Sequence, residues 1–268
     1  GDYFKKDAIA FAWEFLTDEL KLDKNKLHVS VYKDDEEAIR FWKSETGIDE
    51  NKITKLGEEH NFWKAGSTGP CGPCSEIYYD TGDDSDCPDK NHCAPGCDCN
   101  RFLEIWNLVF MEYNKDDKGD LSPLPKKNID TGMGLERIAT VLQDVKSNFE
   151  TDLFIPIINK IHQLTNQRDR QSTHVIADHI RAIVFMIGDS VFPGNEGRGY
   201  ILKKIMRRAI LHGKKIGIES PFMNKISQVV IDEYGDFYKE LKNNTKVIKE
   251  VIDTEESNFS KTLDYGLQ

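Results

Sequence analysis

The sequence predicts an α+β first half followed by an all-helical second half, with the boundary near Lys146. Three observations carry this reading. Period-two alternation of apolar residues occurs in the first half, a break rich in Gly, Pro and Cys interrupts it after Gly57, and everything beyond Asp152 has helical periodicity. A chain of 268 residues that is 38% hydrophobic is long enough for two domains of ordinary size.

Ile9, Trp13, Leu16 and Leu20 recur at helical spacing and predict a helix over 7–21 with Asp7 as its cap. Leu27, Val29 and Val31 alternate with His28, Ser30 and Tyr32 and predict a strand, after which 35–46 reads as an amphipathic helix. The run Gly66-Ser-Thr-Gly-Pro-Cys-Gly-Pro-Cys74 is expected to be irregular because of its breakers. Two β-rich runs follow, 76–79 and 102–113, the second long enough for a central strand. Glu104 and Asn107 are embedded in it, and embedded polar groups need partners or ligands. After Asp130-Thr-Gly-Met-Gly134 a helix is expected to about Leu142, then helices over 152–163, 174–187, 199–215, 224–234 and 236–263.

The formal net charge of −10 argues against a general polyanion binder. Locally the balance reverses: Arg198, Lys203, Lys204, Arg207, Arg208, Lys214 and Lys215 occur with no acid between the first and the last. A cationic stripe on an acidic body suits a selective nucleic-acid reader, and it also suits a solvated helix face. No apolar run approaches the roughly eighteen residues needed to span a bilayer. The opening Gly1-Asp-Tyr-Phe-Lys-Lys has neither a signal peptide's apolar core nor a transit peptide's arginines, so a piece of a cytoplasmic protein is expected.

All six cysteines lie between Cys71 and Cys99, which fits a local metal site better than a disulfide framework. Cys87, Cys93, Cys97 and Cys99 offer enough thiolates for a closed tetrahedral zinc site. Cys71 and Cys74 form a C-x2-C pair, a spacing that also admits a share in the metal site.

In Asn128-Ile-Asp-Thr-Gly-Met-Gly-Leu-Glu-Arg137, two glycines allow close approach of a ligand where strand passes into helix, and Arg137 stands near the helix start to hold an anion. The outline is that of a nucleotide site. Five further runs occur in order: Asn61-Phe-Trp-Lys64, Gly69-Pro-Cys-Gly-Pro-Cys-Ser-Glu-Ile77, Glu104-Ile-Trp-Asn-Leu-Val-Phe110, Val175-Ile-Ala-Asp-His-Ile-Arg181 and Asn195-Glu-Gly-Arg-Gly-Tyr200. This ordered set resembles the alanyl-tRNA synthetases, and the opening 1–9 matches them as well. The run from Asn128 to Ile138 then resembles the third class II motif.

The resemblance implies a class II synthetase-type antiparallel sheet with flanking helices over 1–145, carrying a Cys-rich insert at 81–101. A helical domain for recognising the tRNA acceptor stem follows over 146–268. It implies activation of alanine with ATP and Mg2+, then transfer to tRNA(Ala), with catalysis resting on positioning and charge stabilisation. By the same resemblance Asp130 grips the substrate ammonium, Trp63 walls the pocket, Asn107 orients the substrate and Gly132 keeps the pocket floor low. Arg137, with Gly134 before it, binds the ATP phosphate tail. Asn195, Arg198, Lys203, Lys204, Arg207 and Arg208 fall where the family meets the acceptor stem, and there the cations would hold phosphates while an amide reads a base edge.

A pocket sized for one methyl group rejects glycine and serine poorly, so such an enzyme needs editing. No sign of the family's zinc-dependent editing domain occurs, and His174 and His179 lack the spacing of ligands on one helix face. The family's first two motifs precede the position matching Gly1, so an amino-terminally truncated aminoacylation core with little activity of its own is expected. The competing reading is a non-catalytic, zinc-bearing RNA-binding module. The presence of Trp63, Asn107, Asp130 and Arg137 argues against it.

Overall fold

In the computed structural model, which describes residues 2–82 and 86–266, helix α1 (Lys5–Glu14) turns Ala8, Ile9, Ala12 and Trp13 inward. It runs into a π-helical turn at Phe15–Glu19, and Lys21 leaves in the left-handed region at φ 58°. The helix starts earlier than its periodicity suggested. Phe4 occupies the cap position without a side-chain bond, and Asp7 lies in the first turn, where its charge faces the positive end of the helix dipole.

Strand β1 (Leu27–Tyr32) buries Leu27, Val29 and Val31 completely, as its alternation predicts. Helix α2 (Glu36–Thr46) is capped by Asp35, whose carboxylate accepts from the Ala38 N–H at 3.1 Å, and it ends at Gly47 with φ 68°. Beside that cap Lys5 is buried, its Nζ 2.8 Å from both Asp35 Oδ1 and Glu112 Oε1. Removing Lys5 would leave the buried Asp35 carboxylate without its cation, a loss on the order of 3–5 kcal/mol, whereas Glu112 would keep Lys127 at 3.1 Å.

Strand β2 (Ile53–Leu56) and the short helix α3 (Glu58–Asn61) lead to β3 (Phe62–Lys64), β4 (Gly69–Asp80), β5 (Phe102–Lys115), β6 (Leu121–Met133) and helix α4 (Leu135–Leu142). The sheet order is β2-β1-β4-β5-β6, with β3 also pairing β4. The expected antiparallel sheet holds for β1-β4, β3-β4, β4-β5 and β5-β6, but β1 and β2 run parallel, so the sheet is mixed. The Gly-Pro-Cys run is corrected too, because from Gly69 onward it is strand. Its breakers are accommodated by a register shift between Cys71 and Cys74, the kind of bulge where a strand can hold proline. A Cβ on Gly72 would collide with the Phe110 carbonyl oxygen of β5, so the close approach of the two strands requires glycine there.

The chain clusters into two compact units, Gly1–Asp144 and Val145–Gln268, and each has its own apolar core. In the first, Trp42, Phe110, Ile77 and Leu108 are buried with the inward residues of α1 and β1. In the second, the described residues form helices α5 (Ile155–Leu164), α6 (Arg170–Gly188), α7 (Gly197–Lys215), α8 (Met223–Tyr234), α9 (Lys239–Asn243) and α10 (Thr245–Gly266). One helix was expected over 236–263, and the structure breaks it at Asn244, whose amide nitrogen donates to the Gly188 carbonyl oxygen at 3.0 Å. Buried Glu256 of α10 accepts from the N–H groups of Phe222 and Met223 at 2.9 and 3.1 Å, satisfying donors at the start of α8. No helix among the described residues is long and apolar enough to cross a membrane.

Candidate functional site

Register across the sheet decides which side chains share a face. Ser30 pairs with Glu76, Glu76 with Asn107, and Asn107 with Gly132, giving one transverse row over β1, β4, β5 and β6. Two residues along, Cys74 pairs with Val109 and Val109 with Asp130. Side chains two apart on a strand point to the same face, so Asp130, Gly132, Asn107, Glu76 and Cys74 all lie on one side of the sheet. The intervening positions Ile77, Leu108 and Phe110 belong to the apolar core.

Asn107 Nδ2 donates to Glu76 Oε1 at 3.3 Å, while Asn107 Oδ1 is buried without a hydrogen-bond partner. Glu76 is itself buried and accepts from the Tyr78 hydroxyl and, at 3.2 Å, from Ser30 Oγ. Asn61 Nδ2 donates to Ser30 Oγ at 2.9 Å and to the Cys74 carbonyl oxygen at 3.1 Å. Burial pushes the Glu76 carboxyl above the usual carboxylate range, against the pull of its hydroxyl donors. Burial also pushes the Cys74 thiol up to about 12, which keeps it neutral and makes it a poor nucleophile.

Arg137 of α4 points back to β5, its Nη1 2.8 Å from Glu104 Oε2 and 2.9 Å from the Glu104 carbonyl oxygen. The Gly134 N–H donates to the Ile105 carbonyl oxygen at 3.1 Å, and a Cβ on Gly134 would press on the Arg137 stem at 3.1 Å. The absent side chain therefore lets that stem lie flat. Gly132 differs, since a Cβ there meets nothing within 4 Å. Asp130 and Gly132 are exposed on β6, and half-buried Trp63 lies on β3 opposite Gly72, on the far side of β4 from β5.

The structure thus brings Asp130, Gly132 and Asn107 onto one face, pairs Glu104 with Arg137 and Asn107 Nδ2 with Glu76, and leaves Asn107 Oδ1 unpartnered. Glu76, Ser30, Asn61 and Tyr78 were not singled out from the sequence. A Ser-Glu pair inside the buried run of β4 was the available signal.

In the insert, Cys87, Cys93, Cys97 and Cys99 bring their sulfurs within 4.8 Å of one another, with Cys87 and Cys97 3.7 Å apart and Cys93 and Cys99 3.4 Å apart. Tetrahedral thiolate coordination at about 2.3 Å puts sulfurs roughly 3.8 Å apart, so the set fits one metal ion. Cys71 and Cys74 lie outside this cluster and are buried in β4.

On α7, Leu202, Met206, Ala209, Ile210 and Gly213 face the core. Lys204, Arg208 and Lys215 line the opposite, exposed side. The stripe is not uniform. Arg207 is held by Glu255 at 2.9 Å and covers Phe259, Lys203 donates to Asn195 Oδ1 at 3.1 Å, and Lys204 covers Tyr200. Arg208 approaches His179 Nε2 at 3.4 Å, and His174 stacks on Phe149 with centroids 3.9 Å apart. Asn195 and Arg198 are exposed around the start of the helix.

The profile of the family described as tRNA synthetases class II (A) matches residues 1–268. The chain is 51% identical over 274 residues to the alanine–tRNA ligase of Desulfosudis oleivorans and 50% over 275 to that of Petrotoga mobilis. It is also 52% identical over 275 residues to that of a Thermotoga species. Each alignment covers 100% of this chain and 31–32% of the relative, so the chain spans about a third of the length of the curated relatives it matches.

Proposed function

Because this chain belongs to the class II (A) tRNA synthetase family, we propose that it carries the alanine pocket, one side of the ATP site and the acceptor-stem surface of an alanine–tRNA ligase. The observation that supports this most directly is the register that aligns Asp130, Gly132 and Asn107 on one face, with an amide oxygen left unpartnered. Diagonal neighbours on adjacent strands stand roughly 7–8 Å apart, a gap that an ammonium group with three N–H donors bridges. Asp130 then supplies the negative charge for the alanine ammonium and Asn107 Oδ1 a second acceptor. Gly132 leaves room for the substrate above β6, and Trp63 walls the pocket.

Class II synthetases bind ATP with Mg2+, and here Arg137, with Gly134 beneath its stem, would hold the phosphate tail. Glu104 keeps the guanidinium at the edge of β5, so its orientation is set before the nucleotide arrives. The alanine carboxylate attacks the α-phosphate of ATP and pyrophosphate leaves, giving alanyl-adenylate; a ribose hydroxyl of the terminal adenosine of tRNA(Ala) then takes the alanyl group and AMP leaves. The protein's part is to hold the reactants and offset the growing charge.

Acceptor-stem contact is assigned to Asn195, Arg198, Lys203, Lys204, Arg207 and Arg208. Lys204 and Arg208 are the phosphate contacts, because their side of α7 is open. The four thiols are assigned to one structural zinc, which when bound would cross-link the insert between β4 and β5.

The test is Asp130→Asn in the full-length protein. Loss of the charge opposite the substrate ammonium should lower kcat/KM for alanine by about a hundredfold, ~3 kcal/mol, in alanine-dependent ATP–pyrophosphate exchange, with the ATP KM little changed. An unchanged alanine KM and rate would remove Asp130 from the pocket.

A further inference from the structure

Asn107 has two nearly isosteric amide orientations, and only one serves a cationic substrate. With Nδ2 toward β4, the oxygen is the group left over, and it is buried without a partner among the described residues. With the amide reversed, its oxygen would face the Glu76 carboxylate, acceptor against acceptor. The Glu76 Oε2 is occupied by the Tyr78 hydroxyl and Ser30 Oγ, which leaves Oε1 for the Asn107 nitrogen. Ser30 is fixed in turn by Asn61 Nδ2 at 2.9 Å. The orientation of the amide is thus decided one strand away from the candidate pocket, by a carboxylate that is only 8% exposed.

We propose that Glu76 is the positioning residue for Asn107, its carboxylate holding the amide nitrogen so that the amide oxygen accepts from the substrate ammonium. The proposal rests on reading Asn107 as an alanine-binding group. Glu76 itself touches neither alanine nor ATP, and it acts by excluding the reversed amide, which would present N–H donors to a cation.

The experiment is ATP–pyrophosphate exchange in the full-length protein, with KM for alanine and for ATP read separately and thermal midpoints recorded. Glu76→Met, similar in length but without an acceptor oxygen, should raise the alanine KM about tenfold or more and leave the ATP KM within about twofold. Glu76→Gln keeps one acceptor oxygen, which the Tyr78 hydroxyl and Ser30 Oγ claim, so its NH2 faces Asn107 and favours the reversed amide. The alanine KM should rise about as much as in Glu76→Met, and a KM unchanged by Glu76→Gln overturns the proposal. In an Asn107→Ala background, Glu76→Met should add less than about twofold, because the amide through which it acts is gone. An unchanged alanine KM in Glu76→Met, or the same factor in both backgrounds, overturns the proposal. If Asn107→Ala alone leaves the alanine KM unchanged, the reading of Asn107 falls and this proposal falls with it. Should Glu76→Met not fold, Glu76→Asp, which withdraws the acceptor by one methylene, carries the same cycle with the same criteria.

Discussion

At Gly132 an added methyl group would enter open space, whereas at Gly72 it would strike the Phe110 carbonyl oxygen. The same residue type therefore answers two demands. Gly72 lets β4 and β5 close, and Gly132 leaves room above β6 where the alanine is proposed to sit. Gly132 is not in the left-handed region, so alanine fits its backbone. Gly132→Ala should accordingly change stability by less than about 0.5 kcal/mol in denaturant unfolding. It should raise the alanine KM by about tenfold or more, since one methyl group takes up room the substrate needs. A large loss of stability with an unchanged KM would mean that Gly132 serves the fold and not the pocket.

Helix α7 reads in the sequence as one cationic stripe, and packing divides it by partner. Arg207 belongs to Glu255 and Phe259, while Lys204 and Arg208 line the exposed side. Each of Lys204→Ala and Arg208→Ala should weaken tRNA(Ala) binding and reduce the slope of log affinity against log salt by about one. Arg207→Ala should first lower the thermal midpoint. A slope unchanged by either exposed-side substitution would remove α7 from the phosphate contacts. The insert between β4 and β5 is short of apolar residues, and its proposed zinc replaces a core. Elemental analysis of the purified protein should find about one zinc per chain, and Cys97→Ser should lower both that occupancy and the midpoint of thermal unfolding. Full stability of the metal-free protein would count against a structural ion.

At the scale of the molecule, each unit closes around its own core, and in the second unit three histidines titrate alike. Burial is the leading cause holding His162, His174 and His212 below the ordinary imidazole value of 6.5. The unfolded chain therefore binds protons at a higher pH than the folded one. The stability these groups contribute is complete above about 6.5 and is lost as pH falls through that value toward the depressed folded pKa. Buried Glu256, raised by burial, works in the opposite sense, favouring the folded state as pH falls from its raised value toward the ordinary carboxylate value of 4.5. Tm should decline as pH falls below about 6.5, less steeply in His174→Phe and in His212→Asn, whose amide can keep the bond to Ser172 Oγ. A flat profile, or variants with the native slope, would show that these rings titrate equally in both states. The sequence by itself determined the family, through six runs in order, and with it the α+β then helical plan, the strand β1, the helix α2 and the four clustered thiols, because periodicity and spacing are local properties. The tertiary structure alone decided that the Gly-Pro-Cys run is a bulged strand, that β2 runs parallel to β1, that Asn107 leans on Glu76, and which cations of α7 face outward. Those four depend on register and packing between segments far apart in the chain, where a one-residue slip reverses a face and where the partner of a polar group is chosen by proximity in space.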